Sequence, residues 1–225
     1  MGTDIEFAQP NGGACRGYLA NAGAGGAPGL VVIQEWWGLQ DQIKGLCDRF
    51  ALAGFDALAP DLYGGTVVPY HDVEAAGREM GSLDFLEATD QKVRGAASFL
   101  ARNGAKVGLT GFCLGGAVTV IGCTRIAEIA AGVVFYGLPP EKVASPRDVR
   151  VPLQCHFASK DDWCTPELVD RFEGGLKAAG KLFEIHRYEA DHAFANEQRA
   201  SVHDRAAAEL AWDRATTFLR SNLVR

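Results

Sequence analysis

Two hydrophobic patterns alternate along this chain. Short, continuously apolar runs are followed by longer stretches in which apolar residues recur at helical spacing. Gly29-Leu30-Val31-Val32-Ile33-Gln34 is β-branched and uninterrupted, as expected of a strand covered on both faces. Residues 15–20, 55–59, 106–110, 131–136 and 153–157 predict further strands, the second ended by Pro60. In 183–188 apolar and polar residues alternate, which predicts a strand near the sheet edge. Between the runs lie helical patterns. Ile43, Leu46, Cys47, Phe50 and Ala51 form one stripe, stopped at Gly54. Residues 72–80 and 86–103 read as helices, the second closed by Gly104, and 166–179 as another closed by Gly180. The last helix carries Ala207, Leu210, Ala211, Ala215, Phe218 and Leu219 on one face. Strands alternating with helices of this length predict an α/β protein with a doubly wound, mostly parallel sheet.

Composition narrows the class. With 225 residues, 48% of them hydrophobic, the chain can bury a sizeable core, and a single domain over 1–225 is expected. The small-residue run Asn21-Ala22-Gly23-Ala24-Gly25-Gly26-Ala27-Pro28 is too short for a linker and reads as a turn between strands. A net charge of −6 argues against nucleic acid and anionic membrane as partners. There is no signal-peptide pattern and no apolar run long enough to span a bilayer. Six scattered cysteines form no Cys-x-x-Cys pair, and a core this size needs no disulfide framework. A reduced, cytoplasmic setting is expected, with most of the cysteines acting as inert core fillers.

In open parallel sheets ligands bind beyond the carboxyl ends of the strands, and that rule selects candidate chemistry. Glu35, Cys113, Asp161 or Asp162, and His192 each follow a predicted strand. Gly111-Phe112-Cys113-Leu114-Gly115-Gly116 joins a buried strand to a buried helix. Glycines flanking a nucleophile in such a turn form a nucleophile elbow, because a Cβ two residues either side would collide with backbone. The helix N-terminus after Cys113 favours a thiolate and, later, an oxyanion. The bland alternative is a buried cysteine in a Gly-rich turn. A thiol nucleophile needs a base, usually histidine, and the histidine needs an orienting group. Nucleophile, acid and histidine occur here in α/β-hydrolase order. Of five histidines, His71 and His203 sit in polar surroundings, His156 and His186 lie inside strands, and His192 lies in a loop after the last strand. Asp161 is preferred over Asp162 as the acid because Ala158-Ser159-Lys160-Asp161 forms a small-x-x-Asp turn. Asp162 then caps or faces solvent.

These residues resemble the dienelactone hydrolase family of cysteine α/β-hydrolases. The matching pieces are Gln34-Glu35-Trp36-Trp37-Gly38, Pro60-Asp61-Leu62-Tyr63, the elbow, Asp161 in its turn, and His192-Ala193-Phe194-Ala195, in order across nearly the whole chain. The resemblance implies the α/β-hydrolase fold without a cap domain, Cys113 as nucleophile, His192 as base and Asp161 as orienting acid. It also implies an oxyanion hole from the N–H groups of Leu114 and Trp36, and Glu35 as an internal partner of the resting thiol. Glu35 reads otherwise as a capping or ion-paired residue before the next helix. Trp36, Trp37, Phe112, Trp163 and Phe194 are candidates to wall an apolar pocket, with core filling explaining some of them. Family members that process dienelactone carry a carboxylate-binding arginine at the position where this chain has Asn196. Arg78 is the nearest candidate for a second such arginine, and otherwise a surface helix residue. A preference for neutral, apolar esters or lactones follows.

The expected reaction is hydrolysis of a small ester or lactone through a thioester, by a monomer or small homo-oligomer. No metal-ligand spacing, phosphate loop or dinucleotide fingerprint is present, so no metal or organic cofactor is implied. The alternatives are a carboxylesterase or thioesterase with promiscuous, including phosphoester, activity, and a non-catalytic hydrolase-fold binding protein, which would lack part of the triad.

Overall fold

A computed structural model describes residues 1–23 and 25–224, with Asn103 described by its backbone alone. Eight strands form one sheet: β1 (Thr3–Ala8), β2 (Ala14–Ala20), β3 (Gly29–Ile33), β4 (Asp56–Pro60), β5 (Val107–Phe112), β6 (Ile129–Phe135), β7 (Leu153–Lys160) and β8 (Phe183–Asp191). Their spatial order is β1-β2-β4-β3-β5-β6-β7-β8. β1 and β2 pair antiparallel, as do β2 and β4, and every other pairing is parallel. This is the mostly parallel sheet that the alternating pattern predicts, in the α/β-hydrolase-like architecture that the resemblance implies.

The apolar runs read as strands because both faces are covered. In β3, Val31 and Ile33 point into one buried cluster while Leu30 and Val32 point into another. The first cluster takes in Val118 and Ile121 of α5 (Leu114–Arg125) and Leu176 of α6 (Pro166–Ala178). The second takes in Ile43 and Phe50 of α1 (Asp41–Leu52) and Ala211 and Leu219 of α7 (Arg205–Leu223). All five β3 residues are buried, and each large apolar side chain there contributes about 1.5–3 kcal/mol relative to exposure.

Three differences from the sequence reading have physical causes. β1 is an additional strand, unannounced because only one of its residues, Phe7, is buried and its pattern is therefore faint. β7 and β8 run on past residues 157 and 188, because a register irregularity between Ala158 and Lys160 lets Lys160 pair with Asp191. Residues 158–160 are therefore strand, and the turn begins at Asp161. Residues 86–103 are not one uniform helix. α3 (Phe85–Glu87) leads into a π-helical turn (Ala88–Val93), then α4 (Arg94–Leu100) and a 3-10 turn. β8 is an edge strand, as its alternation suggests. In the run from Asn21 to Pro28, Ala24 lies outside the described residues.

The helix starts matter for the site. α2 (Val73–Ser82), α6 and α7 are capped by the side chains of Asp72, Thr165 and Asp204. α5 starts at Cys113 with no side-chain cap, so its first N–H groups stay unpaired at the carboxyl end of the sheet. No helix among the described residues is long and apolar enough to cross a membrane.

Candidate active site

Cys113 occupies the tip of the turn between β5 and α5, with φ 56° and ψ −116°. A non-glycine residue in this region stores strain and persists only where its surroundings enforce it. Here the enforcement comes from the main chain. A Cβ on Gly111 would lie 2.1 Å from the Gly115 carbonyl oxygen, and one on Gly115 would lie 2.6 Å from the carbonyl oxygens of Ile33 and Gln34. Both flanking glycines are therefore obligatory, for the reason that the sequence suggests. Of the six free cysteines, Cys113 alone is partly exposed. Burial pushes the Cys15 thiol up to about 11 and the Cys123 thiol up to about 12, which leaves these as packed, unreactive thiols.

β7 ends directly before Asp161 and β8 directly before His192. The two strands are neighbours, and their ends bring Asp161 Oδ2 to 2.7 Å from His192 Nδ1. Asp161 Oδ1 meanwhile accepts the Trp163 and Cys164 N–H groups, each at 2.8 Å. The carboxylate side chain has no solvent exposure and the imidazole retains 18%. Burial acts to raise the Asp161 carboxyl, but His192 and the two N–H donors outweigh it and hold it below the usual carboxylate range. Burial likewise acts to lower the His192 imidazole. Asp161 and the adjacent Cys113 thiol outweigh it, and the ring is pushed up to about 10. Asp162 lines the cavity beside them but makes no hydrogen bond or ion pair with His192 among the described residues.

Glu35 lies two residues beyond β3 and is almost fully buried. Tyr136 donates its hydroxyl to Oε1 at 3.3 Å, and Asn196 donates its amide to Oε2 at 2.8 Å. Burial raises this carboxyl, opposed by Asn196, His192, Arg199 and Tyr136. Both oxygens are thus engaged, and among the described residues Glu35 makes no hydrogen bond to the Cys113 thiol. Leu114 and Trp36 both line the cavity, and neither backbone N–H donates to an acceptor among the described residues.

The cavity measures about 640 Å³ and opens at this rim. Trp36 and Trp163 line it, their rings 5.5 Å apart edge to face. Four other expected pocket residues do not. Trp37 meets Trp36 edge to face at 5.1 Å and is buried against Tyr70. Phe112 stacks on Phe135 within the core on the far face of the sheet. Phe194 packs between Tyr136 and Tyr188. Asn196 is fully buried behind Glu35, so it is no substrate-facing counterpart of an arginine. These residues sit in or beside tight turns, whose local course decides which side chain reaches the cavity and which enters the core. His203, read as polar-exposed, instead packs its ring nitrogen 3.0 Å from the Phe194 carbonyl.

Several lining residues went unsingled in the sequence. Tyr136 follows β6, so the strand-end rule could have found it; it has φ 37° and its ring meets His192 edge to face at 5.2 Å. Arg199 also lines the cavity and lies over the Trp37 ring. It sits in an irregular loop where no periodicity marks it. Its presence removes the ground for expecting a cavity without a cation. Arg78 pairs with Glu74 on an exposed helix face and does not reach the cavity. Among the described residues no three His, Cys, Asp or Glu side chains converge to hold a metal ion.

Comparisons with known proteins agree with this architecture. The sequence profile of the dienelactone hydrolase family matches residues 15–223. The protein named "Protein usf" from Aquifex pyrophilus is 35% identical over 99% of this chain and 100% of its own length. A "Putative carboxymethylenebutenolidase" from Aquifex aeolicus is 32% identical over 99% of this chain and 100% of its own. A Klebsiella pneumoniae crystal structure, described as a "Putative Dienelactone Hydrolase", superposes with a TM-score of 0.85 at 28% identity, covering 96% of this chain and 98% of that one. With its profile matched over residues 15–223, the chain belongs to the dienelactone hydrolase family of carboxylic ester hydrolases.

Proposed function

We propose that this protein hydrolyses small esters or lactones with Cys113 as nucleophile, His192 as base and Asp161 as orienting acid. The observation that carries the reading is the 2.7 Å Asp161–His192 contact beside a strained cysteine at an uncapped helix start. The imidazole, made basic by Asp161, takes the thiol proton. The thiolate sulfur then bonds to the substrate carbonyl carbon, and the carbonyl oxygen gathers charge. The unpaired Leu114 and Trp36 N–H groups, with the positive end of α5, stabilise that oxyanion. As the tetrahedral species collapses the carbon–oxygen bond breaks, and the imidazolium gives its proton to the departing alkoxide.

The second half uses the same groups. Cys113 is now a thioester, so its contribution to the raised imidazole is gone and His192 returns toward the range of a general base. It removes a proton from water as the oxygen attacks the thioester carbon. The carbon–sulfur bond breaks, the acid departs, and the thiol is restored. Glu35 acts at one remove: its buried charge faces His192, and the Tyr136–Asn196 clamp holds it short of the thiol.

Mass spectrometry of enzyme quenched during turnover of a slow aryl ester tests the reading. An acyl adduct on the peptide containing Cys113 is expected. An adduct on another residue, or full turnover by folded Cys113→Ala, overturns it.

A further inference from the structure

The cavity is divided by segment. Its charged lining comes from the ends of β7 and β8 and the loops after the strands: Glu35, Lys160, Asp162, Asp191 and Arg199, beside His192. The lining residues from α2, α3, α5 and residues 137–143 are all apolar or glycine. On α5 these are Leu114, Ala117 and Ile121, spaced three and then four apart and so on one helix face. Met80 at the end of α2 and Phe85 of α3 form the opposite wall, with Val143 from the loop after β6. The face runs along α5 from the nucleophile for two turns, a distance of ~10 Å. Ile121 is fully buried and closes the far end. Between the two larger side chains stands Ala117, buried but lining the cavity, and its small size leaves the space beside it free. A face serving only the core would close over this gap. The opposite wall is lightly anchored, since α2 buries only Ala76 and α3 buries nothing.

We infer that this half of the cavity is an acyl- or alkyl-chain subsite: the substrate bears an unbranched apolar arm of about six to eight carbons on one side of its carbonyl, seated between α5 and the Met80–Phe85 wall. The inference rests on the proposed ester hydrolysis and goes on to name the substrate class. The chain enters from the junction at Cys113, displaces water from apolar walls, and ends against Ile121.

Two substrate series test it: 4-nitrophenyl alkanoates from acetate to dodecanoate, and acetates of straight-chain alcohols of the same lengths. In one series kcat/KM is expected to rise about fourfold per added methylene, to pass a maximum near six to eight carbons, and to fall beyond it. A flat or falling profile in both series overturns the subsite. In Ala117→Leu the ratio of kcat/KM for the best chain to that for acetate should drop roughly tenfold or more, with circular dichroism confirming the fold. An unchanged ratio in the folded variant also overturns it. Met80→Ala, on the half-buried wall, guards against misfolding of the first variant: the ratio of kcat/KM for the best chain to that for acetate should fall several-fold, and an unchanged ratio counts against the subsite. The two failures are separable. If Cys113→Ala retains turnover, the ester-hydrolase mechanism fails. If turnover depends on Cys113 but ignores chain length, only the subsite does.

Discussion

Asp161 and His192 meet at 2.7 Å because β7 and β8 are adjacent parallel strands that end at the same level. Neither residue reaches the other through a flexible loop. The contact is therefore built into the sheet, and its loss should be felt in chemistry more than in fold.

Replacing Asp161 by Asn should lower kcat/KM by about 10²–10⁴-fold, since the imidazole loses its orienting acceptor and its charge partner. Asp162→Asn should change it far less, because among the described residues Asp162 lines the cavity without a hydrogen bond or ion pair to His192. Steady-state kinetics on one aryl acetate compares the two, and a larger loss in the Asp162 variant would reverse the assignment.

The same pair makes stability depend on pH in a defined way. The imidazole rises in the folded state from 6.5 to about 10, so its contribution is full below pH 6.5 and fades as pH climbs through 10. The Asp161 carboxyl falls below 3.8 on folding, so its contribution is full above 3.8 and fades as pH drops below it. The melting-temperature deficit of Asp161→Asn should be greatest between these limits, near pH 5, and should shrink toward pH 10. A deficit that grows steadily from pH 5 to pH 10 would contradict the pairing.

Cys113→Ala should abolish esterase turnover and leave the fold intact, because the small side chain sits at a turn fixed by backbone contacts. Iodoacetamide should inactivate the wild type by labelling Cys113, the partly exposed thiol, before the five buried ones. Peptide mapping after partial inactivation reads the site of labelling.

Burial raises the Glu35 carboxyl on folding, so its ionised form opposes stability as pH rises above its ordinary value of 4.5. Glu35→Gln should therefore melt higher than wild type at pH 8 and show a smaller difference, or none, at pH 4. If Glu35 also restrains the resting thiol, the variant should be alkylated faster at fixed neutral pH. Equal alkylation rates would leave Glu35 as a buried partner of Tyr136 and Asn196 alone.

Arg199 lines the cavity and makes no ion pair within 4.0 Å among the described residues. It can receive an anionic substituent by a charge-assisted bond. Arg199→Gln should reduce kcat/KM for a carboxylate-bearing ester about tenfold relative to a matched neutral ester. An unchanged ratio would favour the preference for neutral substrates that the sequence suggests.

The parts of this molecule legible in its sequence are those that a local rule determines. β3 and β5 announce themselves because burial on both faces demands unbroken apolar runs. Glu35, Cys113, Asp161 and His192 could be gathered by asking which polar residues follow strands, and they do share one rim. The cavity walls were illegible for the opposite reason. Whether Trp36 or Trp37, Cys113 or Phe112, faces the cavity depends on how the turns after β3 and β5 direct each side chain, and nothing in composition reveals that direction. Met80, Phe85 and Arg199 come from three separate segments that only the folded sheet brings together. β1 stayed hidden because a solvent-facing edge strand needs little hydrophobic signal.

At the elbow, carbonyl oxygens press on Gly111 and Gly115, and the main chain alone sets where the reactive side chain stands. The identity of its terminal atom is left out of that bargain. Cys113→Ser is therefore expected to keep this turn while exchanging sulfur for oxygen.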